Sequence, residues 1–232
     1  MRNKIGIKLI IIVSILFITI LCALLLGGAS LKIEEVFKGI LGIADNNINI
    51  IMQNIRIPRV VAGIISGIGL SVSGVLIQTV TGNDLASPNI IGINSGAGFM
   101  TILMLCFFPT LFHTLPLFAF LGALFTTIII ILLSKKIGTS KVNIILIGIA
   151  ITTLLNAGIS FISLLDTDVI STYNYFSIGG LSGISFEQLI VPSILIAMAS
   201  IVSFVISHKL EVLTLGDDVA GSLGIKVKAL RI

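Results

Sequence analysis

Few side chains in this sequence are equipped for chemistry, and their spacing narrows what that chemistry is. Arg56-Ile57-Pro58-Arg59 sets two arginines around a proline at the edge of an apolar run. Taken alone, such a pair anchors a helix end by snorkelling to lipid headgroups. A second set is neutral. Gly148, Thr152, Asn156 and Ser160 recur every four residues on an Ile/Leu stretch, with Ser163 one helical step further. A hydroxyl and amide stripe of this kind faces protein or water, not lipid. Interhelical hydrogen bonds, each worth under about 1 kcal/mol, account for it on residue type alone. Asp166 and Asp168 are two carboxylates in a polar stretch with no His beside them, which reads as solvation rather than a metal pair or an acid–base dyad. Cys22 and Cys106 each lie inside an apolar run without paired spacing and read as small buried hydrophobes. His113 and His208 fall at opposite ends of the predicted spans. There is no Gly-x-x-x-x-Gly-Lys-Ser/Thr phosphate loop, no His-Glu-x-x-His and no nucleophile elbow. The sequence therefore reads as neither an enzyme nor a cofactor-binding protein, and no metal ligands are assigned.

The elements that must position these residues are set by hydropathy. Of 232 residues, 56% are hydrophobic and only 10% charged, and mean hydropathy is +1.20. That balance belongs to a polytopic membrane protein, since each span needs about 20 apolar residues. Six spans are predicted, at about 9–26, 58–80, 93–108, 115–133, 142–165 and 189–207. The fold class is all-α, a transmembrane helical bundle. The basic start and apolar run at 1–26 also resemble a signal peptide, but that run is longer than a typical apolar core of one. Between the first two spans, Glu34, Glu35, Phe37 and Ile40 suggest a short amphipathic helix. Residues 109–113 read as a turn, 166–185 as a polar Gly-rich loop, and 208–232 as a polar, basic tail.

Charge placement orients the bundle. With the N-terminus in the cytoplasm, Arg2, Lys4, Lys8, Lys135, Lys136, Lys141, Lys209, Lys226, Lys228 and Arg231 fall inside, against Lys32, Lys38, Arg56 and Arg59 outside. Cytoplasmic excess of Lys and Arg is the usual bias. Arg56 and Arg59 run counter to it at the outer rim. The basic residues are scattered and not interleaved with aromatics, which excludes a nucleic-acid surface.

The second span carries Gly63, Gly67, Ser71 (or Leu70), Gly74 and Gln78 on one face. Small residues let helix backbones approach closely in lipid, so this helix is predicted to be buried among others. After Gln78 come Asn83-Asp84-Leu85-Ala86-Ser87-Pro88 and Ile91-Gly92-Ile93-Asn94-Ser95-Gly96-Ala97. In order, these pieces resemble the FecCD family, permease subunits of ATP-driven importers for iron-siderophores, heme and vitamin B12. The family pattern is Arg-x-Pro-Arg, a glycine-rich helix ending in Gln, an Asn-Pro-Leu-Ala-x-Pro loop and a Leu-Gly-x-x-x-Gly-Ala helix start. Asp84 stands where the loop usually has proline. Residues 173–183 are similar to the family's outer Trp-x-x-Gly-Ser-x-x-Gly segment, with Tyr175 or Phe176 for the Trp. Leu213-Thr214-Leu215-Gly216-Asp217-Asp218-Val219-Ala220-Gly221-Ser222-Leu223-Gly224 resembles Leu-x-x-Leu-Gly-x-x-x-Ala-x-x-Leu-Gly, with Gly221 where the family more often has a larger residue.

The resemblance implies roles. Arg56 and Arg59 would dock carboxylates of an extracytoplasmic substrate-binding protein. Thr152, Asn156, Ser160 and Ser163 would line the translocation path at the interface of two permease copies, identical or not, and Thr139 and Ser140 would narrow its cytoplasmic exit. Leu215, Gly216, Asp217, Asp218, Ala220, Leu223 and Gly224 would form a coupling helix, within a cytoplasmic segment at about 209–232, seated on an ATPase subunit. Physically that segment reads as a short helix with acidic residues at its positive dipole end, Leu215, Val219 and Leu223 on one face, and Gly224 as cap. The implied protein is one transmembrane permease domain of the cytoplasmic membrane, with about six of an expected ten spans present and the C-terminal part missing. The expected cargo is an iron(III)-siderophore chelate, with heme or vitamin B12 as alternatives in the family. The alternative from another class is an ion-gradient-driven carrier, which calls for an ionisable residue near mid-membrane. The topology makes one checkable statement: cysteines introduced as Asn3→Cys and Ser222→Cys should both resist a membrane-impermeant thiol reagent in intact cells and react after permeabilisation.

Overall fold

The structure, a computed structural model, describes residues 2–230, of which the great majority are helical and none lies in a strand. Helix α1 (Arg2–Leu25) is an unbroken apolar rod whose Ile and Leu side chains are exposed along most of its length. Such a surface suits hydrocarbon. Cys22 sits on this exposed surface, contrary to the expected burial, while Cys106 is half-buried. Helix α2 (Ile33–Ile40) is the predicted amphipathic helix. Lys38 Nζ lies 2.6 Å from Glu34 Oε1 one turn back, and that hydrogen bond holds the exposed Glu34 carboxyl below its ordinary pKa. Helix α3 (Asn46–Ile51) passes through a π-helical turn, Met52–Arg56, into α4 (Ile57–Thr81). The expected loop before the second span is thus largely helical.

Helix α5 (Pro88–Ile91) is a single turn, with Pro88 at its start where a missing N–H has no cost. Gly92, at φ +91°, separates it from α6 (Ile93–Phe107). At 15 residues, α6 is about 22 Å long, short of the roughly 30 Å hydrocarbon core. A 3-10 segment at Pro109–Thr114 follows, then α7 (Leu115–Ile137) and α8 (Lys141–Leu165). Helix α9 (Thr167–Ile178) occupies most of the stretch expected to be loop. Asp166 caps it, its side chain accepting from the Asp168 and Val169 amides. Helix α10 (Phe186–Thr214) runs a further two turns beyond the predicted end of the sixth span. Helices α11 (Asp217–Ser222) and α12 (Val227–Leu230) complete the described chain. Among the described residues, five helical stretches have the length and hydropathy to cross a membrane, and α6 is a shorter apolar helix.

The chain divides into two compact units, with the divisions inside α4 after Gly69 and inside α10 after Ala199. In the first, residues 1–69 and 181–199, α2, α3 and the π turn pack on each other around Val36 and Met52, both nearly inaccessible. In the second, residues 70–180 and 200–232, α6 packs on α7, α8 and α9. One core cluster joins Ile102, Met104, Leu105, Leu115 and Val169, and another joins Ile91, Ile130 and Ile147.

Close approach at glycines adds to these side-chain clusters in holding the second unit's helices. A Cβ on Gly122 would collide with the Gly96 carbonyl oxygen and stand 2.5 Å from Met100 Cβ. One on Gly158 would stand 2.6 Å from the Phe99 ring. The α4 stripe behaves differently. A Cβ on Gly67 or Gly74 would meet nothing within 4 Å, and one on Gly63 only Leu181 at 3.7 Å. Off the stripe, a Cβ on Gly69 would press on Ile196 at 3.2 Å. Gly67 and Gly74 therefore leave room for a side chain among the described residues. Thermal unfolding in detergent should separate the two kinds of glycine. Gly122→Leu is expected to cost about 3 kcal/mol through overpacking. Gly74→Ala is expected to be neutral or to stabilise by up to about 1 kcal/mol through helix propensity.

Candidate functional site

Three groups of residues singled out in the sequence fall in three places. The first is the junction of α1 with the π turn. Arg56 is buried at 6% exposure, and its Nη1 donates to the Leu24 carbonyl at 2.6 Å and to that of Leu25 at 3.1 Å, while Nη2 donates to the Ala29 carbonyl. The Leu24 and Leu25 carbonyls belong to the last turn of α1, which has no intrahelical donor for them and carries the negative end of the helix dipole. Hydrogen bonds from a charged group are worth about 1.5–3 kcal/mol each. Arg59, one turn along α4, is exposed. The two arginines thus stand in different environments. Gly27 was not singled out by sequence reasoning, yet a Cβ there would lie 2.9 Å from Arg56 Nη2. The Gly27-Gly28 pair after a long apolar run was the available signal.

The second place is α8. Its polar stripe does not act as one surface. Gly148 is buried against α5, where a Cβ would stand 2.9–3.2 Å from Ile91 Cα, O and C. Thr152 is half-buried, donating to the Gly148 carbonyl at 2.8 Å, and its Oγ1 would lie 2.7 Å from a Cβ on Gly92. Gly92 is thus constrained twice, by its left-handed backbone and by this approach. Asn156 and Ser160 are exposed. Ser163 is half-buried and donates to the Ile159 carbonyl at 2.8 Å. Nearby, the Tyr173 hydroxyl of α9 would lie 2.7 Å from a Cβ on Gly98 of α6. Burial raises the Tyr173 phenol above its ordinary pKa, against a smaller opposing effect from its hydrogen bond with Ser177.

The third place brings residues distant in sequence together. A groove of about 580 Å³ is lined by Lys135, Gly138, Thr139, Ser140, Asp217, Val227 and Lys228. The α7–α8 turn is only Gly138-Thr139-Ser140, with Gly138 at φ +136°. Ser140 is the N-cap of α8, its side chain accepting from the Asn143 amide at 3.2 Å. Across the groove, α11 starts after Gly216 at φ +107° and ends at Gly224 at φ +81°. The Gly224 amide bonds the Gly221 carbonyl and the Ile225 amide bonds that of Ala220, both at 3.0 Å. These are the paired bonds of a Schellman cap. Ala220 is fully buried, whereas Leu215 and Leu223 are more than 60% exposed and Val219 44%. Leu215, Val219 and Leu223, on and beside this helix, are therefore left exposed among the described residues. Lys135, Val227 and Lys228 were not foreseen as neighbours of this site. Among the described residues no group of three or more His, Cys, Asp or Glu side chains is placed to hold a metal ion.

The model of the FecCD transport family matches residues 15–232. The chain belongs to the FecCD transport family. FecCD relatives include a Methanocaldococcus jannaschii protein named as an ABC transporter permease, 30% identical over all of this chain and 70% of its own length. The Fe(3+)-citrate import system permease of Bacillus subtilis is 28% identical over 96% of this chain and 67% of its own. A Staphylococcus aureus protein named as a heme-iron transport system permease is 30% identical over 99% and 69% respectively. A solved structure of a metal-chelate type ABC transporter in an inward-facing conformation has 27% identity and a TM-score of 0.82, covering 99% of this chain and 70% of that one. These findings make the chain a multi-pass membrane protein of the ABC permease type. Within this FecCD chain, Gly148→Ala should lower the unfolding temperature by several degrees, because the new methyl meets Ile91 backbone that has no rotamer with which to move aside. Thr153→Ala, on the exposed side of the same turn, should leave it nearly unchanged.

Proposed function

We propose that this chain is the permease subunit of a binding-protein-dependent importer that carries an iron(III) chelate of the siderophore type across the cytoplasmic membrane, its N-terminus inside. The observation that carries this reading is the likeness, over nearly the whole chain, to a transporter of metal chelates. The names of the iron-citrate and heme-iron relatives point to the same class of cargo. Asn156 and Ser160 then line the path, with Thr152 and Ser163 as polar backing. A conduit for a bulky polar complex benefits from neutral donors and acceptors that hold it weakly, and these side chains carry no charge. The second wall of the conduit would come from a second permease copy.

Energy enters from outside the chain. Separate ATPase subunits would seat α11 in a groove, with the exposed Leu215, Val219 and Leu223 side chains on and beside it making the apolar contact, the helix-in-groove mode of recognition. Nucleotide-driven closure would move α11, whose Asp217 lines the same groove as Thr139 and Ser140 at the N-terminus of α8. Opening and narrowing at Thr139-Ser140 would gate the cytoplasmic exit. At the outer rim, Arg59 would meet carboxylates of the substrate-binding protein, a pairing that steers encounter and fixes register more than it adds affinity.

Two measurements test this. The full chain expressed with its transporter partners should retain a soluble ATPase through purification, and Leu215→Asp with Leu223→Asp should lose it together with at least about nine-tenths of uptake. Uptake of an iron-55 siderophore complex, competed separately with iron citrate, heme and cobalamin, assigns the cargo. Uptake that persists with no ATPase present would overturn the importer reading.

A further inference from the structure

The buried arginine at the α1 junction is engaged in a way the docking role does not require. Arg56 donates to three carbonyls of its own chain, those of Leu24, Leu25 and Ala29, and only 6% of it is exposed. Gly27 leaves room for it: a side chain there would lie 2.9–3.1 Å from Nη2, Cζ and Nε. The other end of the π turn is fixed as firmly. Met52 is inaccessible, and a Cβ on Gly39 would stand 2.6 Å from its Cγ. Between these two anchors Gln53, Asn54 and Ile55 are exposed, and Arg59 is exposed one turn beyond. π turns inserted in α-helices are frequent at functional sites.

We propose that Arg56 is a positioning residue. Its guanidinium clamps the end of α1, and the turn through Ala29, to the π turn that leads into α4, and so fixes the direction in which Arg59 is presented. Arg59 is then the member of the pair that meets the outer protein partner, a statement that rests on the docking reading above. The recognition chemistry differs between the two arginines. Arg59 works as an exposed charge, for which lysine is a fair substitute. Arg56 works as a planar fork reaching carbonyls on two sides, which a single ammonium on a flexible stem does not reproduce.

The test uses the assembled transporter in nanodiscs and its cognate substrate-binding protein, with docking affinity measured over a range of ionic strength. Arg59→Lys should keep affinity within about threefold, while Arg59→Gln should weaken it about tenfold and flatten the salt dependence. Arg56→Lys should fail to rescue, matching Arg56→Gln, with the salt slope of the unsubstituted protein retained in both. Gly27→Val should reproduce the Arg56 variants. A readout independent of the partner accompanies these. Ala29→Cys should react with a hydrophilic maleimide at least about tenfold faster when combined with Arg56→Gln or Gly27→Val, and at an unchanged rate with Arg59→Gln. Restoration of docking by Arg56→Lys, a salt slope reduced by Arg56→Gln, or unchanged Ala29→Cys labelling would each overturn the proposal. Docking indifferent to every Arg59 variant would instead overturn the docking reading, and the labelling rates would still decide the clamp.

Discussion

Hydrocarbon supplies no water to a backbone group whose hydrogen bond is broken, so every departure from straight helix has to be settled by the protein itself. Most of what distinguishes this chain follows from that constraint. Helix α6 is too short to cross a bilayer alone. It is extended by a one-turn helix at one end and a 3-10 segment at the other, and α5 rests on Gly148 of α8. The left-handed residue at the α5–α6 break is backed by the Thr152 hydroxyl. At the end of α1 the orphan carbonyls are met by a guanidinium, which in turn gains the partial negative charge it needs in order to be buried.

A second consequence is that glycine does two separate jobs. At Gly96, Gly122, Gly148 and Gly158 the neighbouring helix comes so close that any side chain would be excluded. Apolar burial gives little drive between helices already surrounded by lipid, so dispersion across these tight crossings carries the packing. At Gly67 and Gly74 an added Cβ would meet nothing within 4 Å among the described residues. Spacing alone does not distinguish the two jobs. The α4 glycines form the more regular stripe, yet the irregularly spaced glycines of α6, α7 and α8 are the ones that hold helices together.

What could be read in advance divides along the same line. The six apolar helices were legible to within a few residues at most ends, because a long apolar run reports its environment directly. The short helix at 217–222 was legible from its acidic start and glycine cap. Helix α9 was not: Thr167, Asp168, Ser171, Thr172 and Asn174 are the composition of a loop, and only packing on α6 makes it a helix. The extension of α10 past Ser207 was missed because His208, Lys209 and Glu211 mark the end of hydrocarbon, which is not the end of a helix. Arg56 was recognised as unusual for its charge, but its carbonyl partners lie 27 to 32 positions earlier, beyond any local pattern. The groove likewise depends on residues 135–140 meeting 217–228, a juxtaposition only the fold creates.

The three-residue turn before α8 has a mechanical effect. Ser140 closes the first turn of a rod 25 residues long, about 37 Å from end to end. With only three residues at its base, α8 follows a displacement of the end of α7 closely, and part of it arrives as tilt. Leaning such a rod by about 3° carries its far tip sideways by about 2 Å. A tilt set at one end of the helix thus reappears at the other as a shift comparable to an atomic diameter.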